Sequence, residues 1–382
     1  MVYFDNAATT FPKPEEVYKF MDSYYRGFGV NVGRGQYWLA DQASNLVEET
    51  RTLLLELLGC VQKQVVFTPS ATIALNIILR GLDWEPGSTV YITPFEHNAV
   101  LRVLEYLKNI YKLNIIELAV DKKKMNYDLE AIKYQFQEHK PNAVIVNHAS
   151  NVCGLVAPIA EICRLSKSYD ATTIVDMAQT AGLVPVDLES AFVDYAVFAG
   201  HKTLYGPIGI AGMILDSNTN INPFIYGGTG IDSANFKMPL TIPERFEAGS
   251  MNIQAIAGLN ASLRWINSVG AKTISEQEKL NTQRLKNVLE QFDNIQLIGL
   301  SSSAEYVGVI SCVFEGYNCD SIGFVLNKQG IAVRTGLHCA PNAHKFLGTF
   351  PAGTVRFSIG FFNSERDFNK LTQALSYIAE NG

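Results

Sequence analysis

The sequence predicts an α/β fold, with a large domain on a mostly parallel seven-stranded sheet and a second, smaller α+β domain. Three observations carry this expectation. Seven short runs, "QVVFT" (64–68), "TVYIT" (89–93), "NIIEL" (114–118), "AVIVN" (143–147), "TTIVD" (172–176), "DYAVF" (194–198) and "GIAGMIL" (209–215), are rich in β-branched residues. Most are near-continuous apolar stretches, the pattern of strands buried on both faces. Their starts mostly lie roughly 20–30 residues apart, enough for one crossover helix each. Beyond residue 250 this alternation stops, and helical and strand-like pieces follow in an α+β order.

Between the strands, "SNLVEETRTLLLELLG" (44–59) and "PIAEICRLSKSYD" (158–170) read as amphipathic helices. In the second, Glu161, Leu165 and Tyr169 keep i, i+4 spacing, and Pro158 suits a helix start. "GIAGMIL" follows "DYAVF" too closely for a helix, so it is expected to run antiparallel, reached through the loop "AGHKTLYGP". Past residue 250, "QAIAGLNASLRWINSVG" and "KTISEQEKLNTQRLKNVLEQF" read as long helices. "NIQLIG", "YVGVISCVFEG" and "TVRFSIGFF" read as strands, and "CDSIGFVLNKQG" as a further helix.

Composition narrows the function classes. Of the 382 residues, 47% are hydrophobic and 18% charged, an ordinary globular balance. The formal net charge of −6, without a Lys/Arg block, gives no footprint for nucleic acid or anionic lipid. No apolar run approaches a membrane span, and "MVYFDNAATT" lacks the pattern of a signal peptide, so a cytoplasmic protein is expected. Six cysteines (Cys60, Cys153, Cys163, Cys312, Cys319, Cys339) include no C-x-x-C pair. Neither a metal site nor a disulfide framework is expected, and five of the six read as ordinary reduced thiols.

In open parallel sheets, ligands bind beyond the carboxyl ends of the strands. After "QVVFT" comes "PSATIALN", where Ser70, Ala71 and Thr72 begin a helix. That turn is either a routine N-cap or a cradle for a phosphate. No Walker lysine pattern and no G-x-G-x-x-G after a strand are present. His97 follows the second strand, and Asn151 the fourth. Asp176 ends a buried strand, where a carboxylate needs a cationic or hydrogen-bonding partner, and Gln179 lies three residues on. His201 and Lys202 sit in the turn after "DYAVF", where a desolvated lysine would be a Schiff-base nucleophile. An anion cradle, a flat ring, a buried carboxylate and a turn lysine suit one cofactor, pyridoxal 5'-phosphate.

The motifs "YFDNAATT", "EHNAV", "SNVCG", "VDMAQTAG", "FAGHKTLYGPIGIAG", "RFEAGSMN" and "IAVRTGLHCA", in that order, resemble the class V branch of fold-type I pyridoxal-phosphate enzymes. Within it, they resemble the cysteine desulfurase and selenocysteine lyase group, and the "RTGLHCA" context resembles the Suf-type subgroup. The resemblance implies a pyridoxal-phosphate-binding domain at 15–248 and a small domain of 1–14 with 249–382, which carries the cysteine loop. It implies that Lys202 bonds the cofactor and moves the Cα proton, that Asp176 holds the ring nitrogen protonated, and that His97 stacks on the ring. Gln179 and Asn151 would face the phenolic oxygen, with Asn151 also facing substrate. Ala71, Thr72 and His201 would take the phosphate. Ser250 would reach the phosphate of a partner subunit, implying a homodimer. Arg356 would bind the substrate carboxylate with Arg334 nearby. Cys339 would take the sulfur of L-cysteine as a persulfide, with Arg334 and His338 favouring its thiolate, and a sulfur-acceptor protein is a possible partner.

The sequence departs from the family pattern at Ala199, where serine is usual, at Ile73, often glutamate, and at Leu337, often histidine. The alternatives are a selenocysteine lyase acting on L-selenocysteine, a class V aminotransferase, which has no use for Cys339, and a non-catalytic cofactor-binding scaffold.

Overall fold

The seven apolar runs form one sheet in the computed structural model, which describes residues 1–33 and 35–381. The chain opens with β1 (Val2–Tyr3), α1 (Glu15–Phe28), α2 (Trp38–Leu57), β2 (Gln64–Thr68), α3 (Ala71–Gly81), β3 (Thr89–Ile92), α4 (Asn98–Tyr111) and β4 (Asn114–Glu117). A short hairpin, β5 (Val120–Asp121) and β6 (Asn126–Tyr127), leads to α5 (Leu129–Glu138), β7 (Ala143–Asn147), α6 (Ile159–Lys167), β8 (Thr172–Asp176), β9 (Tyr195–Ala199) and β10 (Ala211–Leu215). Then come α7 (Ile253–Val269), α8 (Ala271–Leu289), β11 (Ile295–Ile298), β12 (Val309–Phe314) and α9 (Cys319–Lys328). The chain ends with β13 (Ile331–Ala332), β14 (Arg334–Gly336), α10 (Pro341–Leu347), β15 (Thr354–Ser358) and α11 (Glu365–Asn381).

The large sheet has the order β2-β10-β9-β8-β7-β3-β4. Only β10 runs against its neighbours, pairing antiparallel with both β2 and β9, as its short connection requires. Alternate residues of each strand feed two cores. Val65, Phe67, Tyr91, Val144 and Val146 pack with α2 and α7, whereas Val66, Val90, Ile92, Ala143 and Ile145 pack with α3 and α4. That double coverage is why the strands read as unbroken apolar runs. Each fully buried Val, Leu or Ile contributes about 1.5–3 kcal/mol through burial.

Among the helices whose ends differ from the sequence reading, two show the cause directly. The one expected at 44–59 begins at Trp38, because buried Ala40 and Ala43 extend its apolar stripe by a turn, and it ends before Gly59, whose φ is 60°. The one expected to reach residue 170 stops at Lys167, since Asp170 adopts φ 62° and turns the chain.

A second sheet, β11-β12-β15-β14, is antiparallel and packs on α8, α9 and α11 through Leu285, Ile310, Phe357 and Leu371. The N-terminal β1 pairs parallel with β13, so the first residues of the chain join its last third. Helix α7 buries Ile256, Leu259 and Leu263 in the same core as Leu46 and Leu54 of α2.

Candidate active site

Loops beyond the carboxyl ends of β2, β3, β7, β8 and β9 converge on a cavity of about 230 Å3. Lys202, Asp176, His97, Asn151, Gln179, Ala71, Thr72, His201, Arg334 and Arg356, all expected as site residues, line it. So does Ala199, which offers no hydroxyl there. Cys339 borders an adjoining cavity, and Ser250 is exposed outside both.

Lys202 stands in the turn from β9 to β10. That turn needs Gly200, because a Cβ there would lie 2.7 Å from the carbonyl oxygen of Ile210. Withdrawal of the Lys202 ammonium from water lowers its pKa to about 8. Asp176 opposes that shift, while Arg356 and Arg334 add to it. Asp176 ends β8 and is buried, which raises its pKa, while the Ala178 N–H, 2.9 Å from Oδ1, and Lys202 pull it down. A lysine poised to lose its proton thus lies beside a buried carboxylate.

His97 is both a cap and a wall of the site. It is the N-cap of α4, and its Nδ1 accepts from the Ala99 N–H at 3.0 Å. Burial first, then the charges of Lys202, Arg334, Arg102 and Arg356, lower its pKa to about 4, so the ring is neutral at pH 7. The Ser70 hydroxyl caps α3 by accepting from the Ile73 N–H. The N–H groups of Ala71 and Thr72, in the first turn, have no acceptor within the helix. The routine cap and the anion cradle are therefore present in the same turn.

The small sheet contributes the cationic wall. Strand pairing sets Arg334 of β14 opposite Arg356 of β15, an arrangement of like charges that is unfavourable alone. Arg356 is buried and bonds Asp5 Oδ1 at 2.6 Å through Nη2 and the Asn151 carbonyl at 2.9 Å through Nη1. Its Nε is buried and has no partner among the described residues. Arg356 has one carboxylate partner and Arg334 has none among the described residues, leaving positive charge for an anionic ligand.

Cys339 is held, not dangling. His338 and Cys339 both adopt left-handed backbone, with φ of 48° and 59°. The carbonyl of Cys339 accepts from the Asn98 N–H at 2.7 Å, and that of His338 from Asn151 Nδ2 at 2.7 Å. Arg334 Nη2 donates to Cys339 Sγ at 3.3 Å, giving the sulfur a charged donor. His338 does not share that role, contrary to the sequence expectation. Burial, then Arg356, His344 and Arg334, drive its pKa down to about 2, and its Nε2 pairs with the Thr354 hydroxyl at 2.9 Å. A neutral ring cannot favour a thiolate by charge.

Of the other cysteines, Cys60, Cys153, Cys163 and Cys312 are buried, and burial pushes the Cys60 and Cys163 thiols up to about 12. Among the described residues no cluster of three His, Cys, Asp or Glu could hold a metal.

Three further residues shape the site and escaped the sequence reading. Asp5 pairs with Arg356. Lys13 Nζ supports the His201 carbonyl and the Thr10 hydroxyl, each at 2.7 Å, and burial lowers its pKa to about 7. Glu96 Oε1 accepts from the Thr93 hydroxyl and the Asn147 N–H, each at 2.8 Å, tying the ends of β3 and β7 together one residue before His97. Burial raises its pKa to about 8. Glu96 follows an apolar run, the same signal that singled out Asp176. Asp5 and Lys13 gave no such signal.

A profile of the aminotransferase class-V family matches residues 2–371. The chain belongs to that family. A class-V relative from Haloferax volcanii, described as a cysteine desulfurase, is 30% identical, over 100% of this chain and 90% of its own length. A probable cysteine desulfurase from Pyrococcus abyssi is 32% identical, over 100% and 95%. The solved apo structure of a cysteine desulfurase from Thermococcus onnurineus NA1 superimposes with a TM-score of 0.92 at 29% identity, covering 100% of this chain and 95% of that one. That superposition takes in both the mixed sheet and the second sheet.

Proposed function

We propose that this chain is a pyridoxal 5'-phosphate-dependent cysteine desulfurase that converts L-cysteine to L-alanine and takes the sulfur onto Cys339. The observation that carries this reading is a thiol held by Arg334 next to a cavity whose walls hold Lys202 and Asp176. Its Suf-type character is part of the proposal and rests on the "RTGLHCA" context.

The residues present fit the cofactor. Among the described residues, Asn151 Oδ1 and His201 Nδ1 are buried without a partner, and the first N–H groups of α3 are open to an anion. His97 would stack on the ring, and Asp176 would hold a proton at the ring nitrogen. Gln179 and Asn151 would face the phenolic oxygen, and Ala71, Thr72 and His201 would take the phosphate. When bound, pyridoxal phosphate supplies an aldehyde for amines and an electron sink for the pair released at the substrate Cα.

Lys202, with its pKa near the working range, would accept the Cα proton on Nζ and later return a proton to the product. Arg356 would bind the substrate carboxylate through the donors that Asp5 and Asn151 leave free, assisted by Arg334. Cys339 Sγ would form a new S–S bond to the substrate sulfur as its C–S bond breaks, and the carbon skeleton would leave as alanine. The same arrangement would serve L-selenocysteine, whose carbon–selenium bond is weaker.

The direct test is incubation of the holoenzyme with L-cysteine and a reductant. Alanine and sulfide are expected in equal amounts. Conversion of alanine to pyruvate with the cofactor left as an amine would instead identify an aminotransferase, and no turnover of any amino acid would leave a scaffold.

The Lys202 environment sets a pH dependence. Covalent uptake of pyridoxal phosphate by the apoprotein, trapped with borohydride and read on the Lys202 peptide, should rise with pH and level off above about 8, because only the neutral amine reacts. Asp176→Asn should move the midpoint down, since the Asp176 charge raises the lysine pKa. A profile flat from about pH 6 to about pH 10 would contradict this environment.

The homodimer belongs to the same proposal. Ser250 is exposed, and the segment between β10 and α7 also exposes Tyr226, Phe236 and Leu240. Light scattering should give twice the 42.2 kDa chain mass, and Phe236→Asp should weaken the dimer. A wild-type monomer at micromolar concentration would exclude a site completed by the partner. The division into 15–248 and 1–14 with 249–382 is likewise proposed. It is supported by the second sheet and by β1, although α7 packs on α2. Cytoplasmic location is proposed with it. Among the described residues no helix is long and apolar enough to cross a membrane.

A further inference from the structure

Cys339 lines a second cavity, of about 380 Å3, which shares Thr72, His97 and Ala99 with the first. Its walls are two facing helices. Thr72, Asn76 and Arg80 follow one another at i, i+4 along α3, and Asn98, Arg102 and Tyr106 do so along α4. The cleft runs from the exposed Arg80 and Tyr106 to the sulfur, and among the described residues no acidic side chain lines it. Arg80 lies over the rings of Phe224, at 4.0 Å, and Tyr106, at 4.7 Å. Among the described residues, neither Arg80 nor Arg102 has an ion-pair partner. Two guanidiniums without a carboxylate partner among the described residues thus line the approach to a thiol, Arg80 also donating to the Tyr106 hydroxyl at 3.4 Å.

The loop adds a second constraint. Its backbone is pinned at His338 and Cys339 by Asn151 and Asn98, so the sulfur stays at the inner end of the cleft. An acceptor therefore has to enter rather than be met outside. The cavity is the size of a small molecule, and its unpaired charge is positive.

We propose that this cleft is the entry for the sulfur acceptor and that it selects a low-molecular-weight thiol carrying a carboxylate. The proposal rests on the desulfurase reading and names the acceptor class for it. The acceptor thiolate attacks the terminal sulfur of the Cys339 persulfide. A new S–S bond forms on the acceptor, the bond to Sγ breaks, and Cys339 departs as the thiolate. No oxidant or reductant is consumed. Arg102 and Arg80 hold the acceptor carboxylate while its sulfur reaches the inner end.

The test loads Cys339 with sulfur from L-cysteine in the holoenzyme, removes the excess, and follows discharge of the Cys339 peptide by mass spectrometry. Three thiols are compared at equal thiolate concentration: 3-mercaptopropionate, 2-mercaptoethanol and cysteamine. Wild-type protein should discharge about five-fold faster to 3-mercaptopropionate than to 2-mercaptoethanol, and slowest to cysteamine. Molar salt should compress that order. Arg80→Gln with Arg102→Gln should bring the three rates within about two-fold while leaving the sulfur-loading rate unchanged. Wild-type rates independent of thiol charge, or a charge preference that survives in the double variant, would overturn the proposal. Failure of Cys339 to take sulfur from L-cysteine would instead refute the desulfurase reading. In that case the same peptide is loaded with inorganic polysulfide, and the charge dependence of discharge is still decided.

Discussion

Lys202→Ala is expected to lower turnover of L-cysteine by a factor on the order of 10⁴ or more while leaving the fold intact. In the proposed mechanism the lysine would supply both the amine that bonds the cofactor and the base for the Cα proton, two roles that alanine cannot fill. The turn that presents it is held by main-chain bonds that the substitution spares. Gly206 N–H donates to the Gly200 carbonyl at 2.7 Å, and Tyr205 N–H to the Lys202 carbonyl at 2.9 Å. The Thr10 hydroxyl reaches that carbonyl at 3.1 Å. The melting temperature should therefore move little. Lys202→Arg should be as inactive, because a guanidinium stays protonated and forms no Schiff base. Alanine release in the steady state measures the loss, and retention of more than about a tenth of wild-type activity would remove Lys202 from the mechanism.

Cys339→Ser is expected to separate cofactor binding from sulfur removal. Alanine formation from L-cysteine should fall at least about a hundred-fold, because a hydroxyl at neutral pH is a poor nucleophile toward sulfur. Covalent uptake of pyridoxal phosphate at Lys202 should persist, since the thiol lies outside the cavity that would hold the cofactor. The pinned backbone survives the change, because the bond from Asn98 N–H ends on the main-chain carbonyl of residue 339. Turnover of L-selenocysteine should fall less, as selenium leaves without needing a strong acceptor. Equal losses on the two amino acids would show that Cys339 acts on neither as a sulfur-specific nucleophile.

Much of the fold is legible because the large sheet is buried on both faces. Val65, Val66 and Phe67 need apolar side chains in either direction, so the run declares itself as a strand. The reversed β10 follows from a connection too short for a helix. Strand ends then point to Asp176, His97 and Lys202. The remainder depends on contacts between distant segments. Nothing near Asp5 in sequence announces Arg356, and the pairing of the N-terminal segment with Ser358 brings them together. Arg334 and Arg356 become neighbours through strand register, which local pattern does not encode. The same holds for His338, whose position beside Cys339 suggested a helpful charge. Burial and the nearby Arg356 and Arg334 make it neutral, and burial depends on the whole fold. Arg80 and Arg102 look like ordinary exposed helix residues until α3 and α4 are set face to face with Cys339 between them.

The measurement that bears most directly on the central claim is mass spectrometry of the Cys339 peptide after brief incubation of the holoenzyme with L-cysteine and no reductant. One added sulfur atom on that peptide is expected, with alanine formed in equal amount and the adduct removed by a thiol. Alanine formation with Cys339 unmodified, or sulfur on another cysteine in its place, would contradict the assignment of Cys339 as the sulfur acceptor.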